Sequence, residues 1–80
     1  MNKSHFNEYL GTFVREKRMR LKMSQSELAA KLENNFQNVS RLERGEVSPT
    51  LFWFFKLAEA FDQAPHLLLA EFEEYLFKKK

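Results

Sequence analysis

A short run of side chains after residue 35 has the chemistry needed to recognise base edges. Gln37, Asn38 and Arg41 stand on the outer face of a helix predicted from Phe36 to Arg44. Gln and Asn amides pair with adenine edges, Arg pairs with guanine, and an aromatic ring can contact a thymine methyl. A solvated helix face is the alternative interpretation of the same residues. The surface is polar without being densely charged, which favours base recognition over phosphate neutralisation.

Catalytic and metal-binding chemistry finds little support in the sequence. His5 and His66 lie far apart, and Ala70, not a second ligand, stands four residues after His66. The chain has no cysteine, which excludes a disulfide, a thiolate nucleophile and a Cys-ligated metal. The three glutamates between residues 71 and 74 are typical of a solvated helix, and no glycine-rich loop is present. We therefore predict no enzymatic activity, no metal and no cofactor.

Helices are needed to position the residues after 35, and apolar periodicity predicts them nearly throughout. The predicted helices span residues 7–22, 25–32, 36–44, 49–61 and 65–76, and no strand-period run or internal repeat appears. The stripes expected to face the core are Leu10, Phe13, Val14 and Leu21, then Leu28, Ala29 and Leu32, then Val39 and Leu42. We predict an all-α fold of five short helices in one domain, residues 1–80.

Local sequence signals predict where several helices begin and end. Ser24 and Glu27 have the spacing of a capping box, in which each side chain binds the other residue's backbone N–H. Asn35 suits the N-cap of the third helix, and Gly45 suits the left-handed residue after its end. Ser48 and Pro49 are predicted as the N-cap and first residue of the fourth helix.

The charge distribution fits a polyanion partner but does not require one. The net charge is +2, and residues 1–22 hold six basic and two acidic side chains, an excess of +4. A solvated helix face would explain the same excess. No run of about 18–20 apolar residues could span a membrane. The polar N-terminal stretch does not resemble a signal core, so we expect a cytoplasmic protein.

Two short helices joined by a three-residue turn are typical of a helix-turn-helix, here within residues 25–44. Residues 23–29, 39–45 and 48–51 carry the strongest motif, and the match runs without a gap from about Leu10 to Leu69. The sequence resembles the Cro/CI-type (XRE) family of helix-turn-helix regulators. That resemblance implies a lambda-repressor-like DNA-binding domain. The short length and amphipathic fifth helix also resemble the controller proteins of restriction–modification systems, through architecture more than motif.

The resemblance assigns a role to each matching position. The positions that usually touch base edges are Phe36, Gln37, Asn38 and Arg41. The positions that usually hold phosphates are Ser24, Arg44, Ser48 and Thr50, while Gln25 should lie near the DNA backbone and orient the third helix. Arg18 and Glu43 match a pair that joins the first and third helices through a structural ion pair. Breaking it would leave a partly buried charge unpaired.

Two positions depart from the family pattern. The turn normally has Gly followed by an apolar residue, whereas this chain has Glu33 and Asn34. A left-handed Glu would cost about 1 kcal/mol relative to Gly, although Asn tolerates that conformation better. Phe36 is the second departure, since its position is usually polar. Its ring either contacts a thymine methyl, the reading we favour, or tucks against the protein.

The fourth helix is apolar on almost every side, which predicts a second apolar surface beyond the core. One stripe, formed by Leu51, Phe54, Phe55 and Ala58, is expected to face the core. The residues expected at a dimer interface, within about 52–77, are Phe52, Trp53, Leu68, Phe72, Tyr75 and Leu76. A two-fold dimer would place its third helices about 34 Å apart and read an inverted repeat. The alternative is that these residues cover the core of a single chain.

These expectations combine into one function and one alternative. We predict a homodimeric, sequence-specific regulator that binds double-stranded DNA at an inverted-repeat operator and represses or activates by its position. No small-molecule ligand or membrane partner is expected. The alternative is a helical protein–protein interaction module, antitoxin-like for example, with little DNA binding of its own.

Overall fold

Five helices make up the protein in a computed structural model that describes residues 1–79. They are α1 (Lys3–Arg20), α2 (Gln25–Lys31), α3 (Phe36–Glu43), α4 (Leu51–Ala60) and α5 (Pro65–Lys79). No strand occurs among the described residues. The predicted all-α fold of five helices is confirmed.

Side-chain caps fix where four of the helices begin. Asn2, Ser24, Asn35 and Thr50 each accept a hydrogen bond from the backbone N–H three residues later, at 2.9–3.1 Å. At Ser24 the backbone N–H also donates to the Glu27 carboxylate at 2.8 Å, which completes the predicted capping box. The predicted Asn35 cap is likewise present.

The sequence prediction placed both ends of α1 further along the chain than the structure does. The helix begins at Lys3, not near Asn7, because the Asn2 side chain caps it. It ends at Arg20, so Leu21 no longer follows the helical stripe. Leu21 was expected in the core and is instead 45% exposed.

The predicted start of α4 was wrong by two residues. Thr50, not Ser48, caps the helix, and Leu51 is its first residue. The Ser48 hydroxyl donates instead to the side chain of Asn7 on α1. The segment that contains Pro49 is therefore a link to α1 and not the first turn of α4.

Four helices are each followed by one residue in the left-handed backbone conformation. Lys22, Glu33, Gly45 and Asp62 have φ between 55° and 76°. The N–H of the residue after each one donates to a helix carbonyl at 2.9–3.1 Å, which satisfies carbonyls that the helix end leaves free. Gly45 agrees with the prediction. The other three positions carry side chains, at a cost of about 1 kcal/mol each relative to glycine.

All five helices contribute to a single core. Seven side chains are less than 2% exposed: Leu10, Val14, Leu28, Val39, Leu42, Leu57 and Leu68. Burying a side chain of this size contributes about 1.5–3 kcal/mol to folding. The stripes predicted for the second and third helices are buried as expected, and so are the first three residues of the α1 stripe.

The core-facing side of α4 differs from the prediction. Leu57, Ala58 and Phe61 are buried, whereas Leu51 is 74% exposed and Phe55 is 50% exposed. The predicted core-facing stripe was therefore rotated about the helix axis relative to the stripe that is buried. Because almost every residue of α4 is apolar, periodicity could not indicate which side faces inward.

Two residues expected at a dimer interface belong to the core of one chain. Leu68 is 1% exposed and Phe72 is 3% exposed. The Phe72 ring lies 5.6 Å from the Phe6 ring and 5.3 Å from the Phe13 ring, measured between centroids. Assigning Leu68 and Phe72 to the interface was wrong, because both side chains are already buried within one chain, Phe72 against the aromatic rings of α1. Tyr75 also contacts Phe13, at 5.5 Å.

A polar contact joins the same two helices beside the aromatic rings. The Lys17 ammonium lies 3.0 Å from a carboxylate oxygen of Glu71, and Gln63 donates to the same carboxylate. Burial alone would raise the pKa of Glu71, but the hydrogen bonds from Gln63 and Lys17 outweigh it and lower that pKa. The contact fixes α5 against α1 in a defined register.

α1 and α3 approach so closely that only glycine fits at position 11. A Cβ atom on Gly11 would lie 2.5 Å from the carbonyl oxygen of Leu42 and 2.6 Å from that of Glu43. Both atoms belong to the α3 backbone and cannot rotate away. Gly11 therefore sets the distance between the two helices.

Replacing Gly11 with Ala should destabilise the protein by about 2 kcal/mol or more, because α3 must move away from α1. The sign is informative, since Ala in a helix interior is otherwise favoured over Gly by about 1 kcal/mol. Urea unfolding followed by Trp53 fluorescence measures the effect. Arg15→Ala, at an exposed position on α1, is the control and should change stability by less than about 0.5 kcal/mol. A Gly11→Ala variant as stable as the parent would contradict the close contact.

Candidate nucleic-acid interface

α2, a short turn and α3 form a helix-turn-helix whose inner side is fully packed. Leu28, Val39 and Leu42 are each 0% exposed, and Ala29 is 3% exposed. The small Ala29 side chain lets the two helices cross closely. These contacts leave the opposite side of α3 facing away from the core.

The turn holds a glutamate where the family pattern has glycine. Glu33 has φ of 55°, in the left-handed region. The Asn34 side-chain oxygen accepts from the Asn35 N–H at 2.9 Å and from the Asn38 amide at 2.7 Å. Lys56 on α4 lies 3.2 Å from the Glu33 carboxylate. Side-chain contacts therefore support a turn that the backbone alone would disfavour.

A buried ion pair joins α1 to the end of α3. Arg18 Nε donates to Glu43 at 2.7 Å and Arg18 Nη2 donates to the other carboxylate oxygen at 3.1 Å. Arg18 Nη1 donates to the carbonyl of Met23 at 2.7 Å. The pair has the partners expected from the sequence, and Glu43 is only 7% exposed.

Gln25 joins the same cluster from the start of α2. Its amide nitrogen donates to Glu43 at 3.0 Å. One carboxylate thus connects α1, α2 and α3. One N–H of the Gln25 side-chain amide already donates to Glu43. The predicted contact between Gln25 and the DNA backbone would therefore use the other N–H.

The four side chains predicted to touch bases do not have equal freedom. Phe36, Gln37 and Arg41 are exposed on one side of α3, and the Phe36 ring is 50% exposed. Its ring therefore does not tuck fully against the protein. Asn38 is half-buried, and its amide donates to Asn34 in the turn. Phe36, Gln37 and Arg41 are thus accessible to a ligand, although Arg41 also lies 3.8 Å from Glu46, while Asn38 supports the turn.

The residues predicted to hold phosphates already have partners within the chain. The Ser24 and Thr50 hydroxyl oxygens cap helices, and Ser48 donates to Asn7. The Arg44 guanidinium contacts Ser40 and Glu46. A capping hydroxyl accepts one hydrogen bond and still has its own hydrogen to donate. Ser24 and Thr50 therefore keep a donor for an anion, whereas the Ser48 hydrogen is used.

Glu46 is a charged residue of this surface that sequence reasoning missed. Its carboxylate accepts from Arg44 Nε at 2.6 Å and lies 3.8 Å from Arg41 Nε. The hydrogen bond with Arg44 lowers the pKa of Glu46 and raises the pKa of Arg44. The available signal was Gly45, since a left-handed residue after α3 turns the next side chain back towards the helix.

Other kinds of site find no geometric support within residues 1–79. No group of three or more His, Asp or Glu side chains lies close enough to hold a metal ion. No helix in this part of the chain is long and apolar enough to cross a membrane.

Comparison with known proteins agrees with the geometry. The profile of the helix-turn-helix family matches residues 14–68, which include α2, the turn and α3. The chain belongs to the XRE helix-turn-helix family. No match was found among curated proteins.

A solved structure shares the fold of this XRE-family chain over most of its length. It is the crystal structure of the restriction–modification controller protein C.AhdI from Aeromonas hydrophila, with a TM-score of 0.78 and 29% sequence identity. The similarity covers 85% of this chain and 99% of the C.AhdI chain. XRE membership and this likeness support a DNA-binding regulator.

Removing one member of the Arg18–Glu43 pair should destabilise the fold by about 3–5 kcal/mol, because the other charge remains buried without its partner. Arg18→Met tests this by urea unfolding followed by Trp53 fluorescence. The double variant Arg18→Met, Glu43→Leu should recover part of the loss, since no buried charge then remains. Strictly additive losses from the two substitutions would show that the ion pair has no special role.

Proposed function

We propose that the protein is a homodimeric, sequence-specific regulator that binds double-stranded DNA at an inverted-repeat operator. The observation that carries the proposal is the outer side of α3. There Phe36, Gln37 and Arg41 stay exposed while the Arg18–Glu43 pair and the core hold the helix from behind. Side chains held on a rigid helix suit base contacts in a major groove.

The chemistry of the exposed residues supports a division of roles. Arg41 would pair with guanine, Gln37 with adenine, and the Phe36 ring would contact a thymine methyl. Asn38 would contribute less directly, because its amide already supports the turn. These residues specify sequence, whereas contacts to phosphates set position.

The phosphate contacts are proposed at the ends of the helices. Ser24 and Thr50 each retain a hydroxyl hydrogen at a helix N-terminus, where backbone N–H groups also favour anions. Arg44 would supply a positive charge at the end of α3, and Gln25 would contact the backbone beside Ser24. Ser48 is the weakest of the proposed set, because its hydrogen is donated to Asn7.

An apolar patch on α4 and α5 supports the homodimer. It consists of Leu51, Phe52, Phe55, Pro65 and Leu69, and all but Pro65 are at least half exposed. Trp53, Tyr75 and Leu76 are partly buried against the core and would lie at most at its margin. A second copy on this patch would remove large apolar side chains from water. We place the dimer interface here, in place of Leu68 and Phe72.

A controller role in a restriction–modification system is the narrower form of this proposal. Its support is the likeness to C.AhdI at 29% identity over 85% of this chain. As a regulator, the protein would repress or activate according to where its operator lies, and would act in the cytoplasm with its DNA.

Selection of bound sequences from a random duplex pool tests the proposal directly. Enrichment of an inverted repeat, with half-sites about one helical turn apart, is the expected result. Absence of enrichment at low salt by folded protein would reject DNA recognition. That result would favour the alternative function, a helical interaction module whose apolar patch binds another protein.

Arg41→Ala and Arg44→Ala should weaken DNA binding in different ways. Loss of Arg41 should cost about 1–3 kcal/mol on the selected site and relax the preference at one base pair. Loss of Arg44 should weaken binding to all duplexes alike and reduce the salt slope by about one. Titrations on matched and single-substituted duplexes at several salt concentrations separate the two effects. The division of roles would be wrong if both variants lost affinity equally on every sequence.

Phe52→Ser should convert the dimer to monomer with little change in folding stability, because Phe52 is 75% exposed in a single chain. Sedimentation velocity over a range of concentrations measures the change. Met19→Ser removes an exposed apolar side chain from α1 and should leave the dimer intact. A Phe52→Ser variant that sediments as the parent does would move the interface away from this patch.

A further inference from the structure

The backbone after α3 holds Glu46 beside Arg41 of that helix and Arg44 at its C-cap. The Gly45 N–H donates to the carbonyl of Leu42 at 3.0 Å, and the Glu46 N–H donates to the carbonyl of Arg41 at 2.9 Å. These bonds turn the chain back on itself at Gly45, whose φ is 76°. The position of Glu46 is therefore set by the fold and not by its side chain alone.

The Glu46 carboxylate accepts hydrogen bonds from Arg44 and lies near the guanidinium of Arg41. Arg44 reaches its two oxygens, through Nε at 2.6 Å and through Nη2 at 3.3 Å. Arg41 Nε lies 3.8 Å from one of them. A two-pronged guanidinium–carboxylate contact resembles the contact that arginine makes with a phosphate. Glu46 thus occupies the guanidinium of Arg44 and lies close enough to Arg41 to offset its charge.

No other cation on this part of the chain relieves the competition. Arg41 and Arg44 are the only basic residues between Lys31 and Lys56. Of the other acidic residues between Lys31 and Lys56, Glu43 is committed to Arg18 and Glu33 lies 3.2 Å from Lys56. The end of α3 therefore presents two positive charges with one exposed negative charge between them.

We propose that Glu46 is a specificity-determining residue that competes with DNA phosphates for Arg41 and Arg44. The inference rests on the proposed function, since it concerns DNA binding by α3. On a duplex of unrelated sequence Arg41 finds no matching base, and Glu46 keeps it from binding a phosphate instead. On the operator the two Nη groups of Arg41 pair with a guanine edge while Nε stays beside Glu46, and a phosphate takes Arg44.

The competition acts unequally on the two kinds of DNA. Binding to unrelated sequence depends almost wholly on phosphate contacts, so it loses up to two of them to Glu46. Binding to the operator loses less, because the guanine edge that Arg41 contacts there is neutral. The Glu46 carboxylate repels a phosphate but not such an edge, and the base contact can leave Arg41 Nε beside Glu46. Glu46 thereby lowers affinity for all duplexes but lowers it more for unrelated sequence.

Glu46→Gln tests the inference because it removes the charge and keeps the shape. Affinity for a random-sequence duplex at 50 mM salt should rise about tenfold, with a salt slope steeper by about 1–2 units. Affinity for the selected operator should rise less, so the ratio of the two affinities should fall several-fold. Fluorescence anisotropy titrations on both duplexes between 50 and 200 mM salt measure these changes.

Two controls separate competition from simple net charge. Glu73→Gln makes the same charge change at an exposed position on α5 and should leave the specificity ratio unaltered. In an Arg41→Ala background, Glu46→Gln should raise affinity for both duplexes equally, since Arg41 carries the discrimination. Thermal unfolding of each variant checks that the fold is retained.

The outcomes are distinguishable. If the parent protein binds no duplex at 50 mM salt, the proposed function fails and the inference fails with it. If the parent binds but Glu46→Gln matches Glu73→Gln, or leaves the specificity ratio unchanged, only the role of Glu46 is overturned. A ratio that falls equally with and without Arg41 would also overturn it.

Discussion

The Glu43 carboxylate holds the helix-turn-helix to the rest of the protein. Burying Glu43 and Arg18 costs desolvation energy, which an ion pair recovers only with good geometry and further hydrogen bonds. Four hydrogen bonds are present: two from Arg18 to Glu43, one from Arg18 to Met23 and one from Gln25 to Glu43. Because these reach α1, α2 and α3 together, the orientation of α3 depends on a few short, directional contacts as well as on apolar packing.

Polar side chains of the proposed DNA surface also make hydrogen bonds within the protein. Ser24 and Thr50 cap helices, Asn38 closes the turn, and Arg44 binds Glu46. In the free protein these contacts hold the side chains in defined positions, which lowers the ordering cost of binding. They also mean that some partners must be exchanged when DNA binds. Affinity is therefore a difference between two sets of hydrogen bonds, not a sum of new ones.

Sequence reasoning predicted the parts of the fold whose signals are local. The Ser24–Glu27 capping box, the Asn35 cap and the left-handed Gly45 each depend on residues within a few positions of one another. The apolar stripes of α2 and α3 were predictable because polar and charged residues mark their outer sides. The Arg18–Glu43 pair, 25 residues apart, came from family resemblance and not from local pattern.

The parts that failed depend on packing between distant elements. On α4 nearly every residue is apolar, so nothing local shows that Leu57 faces inward and Leu51 outward. Leu68 and Phe72 have the spacing of an interface, but the rings of Phe6 and Phe13 already cover Phe72. Glu46 was missed because its contact with Arg44 needs the reversal at Gly45. The Thr50 cap was missed because Ser48 has the same local chemistry.

The close approach at Gly11 has a consequence for how target preference can change. Where two helices meet through side chains, a substitution can shift their spacing by a fraction of an ångström. Here the contact is between the α1 backbone and the Leu42 and Glu43 carbonyls, which acts as a rigid stop. The spacing of α1 and α3 at this point is thus set by the two backbones and not by the size of a side chain. Under the proposed function, a new target sequence would come from exchanging residues on the outer side of α3 while the scaffold stays constant.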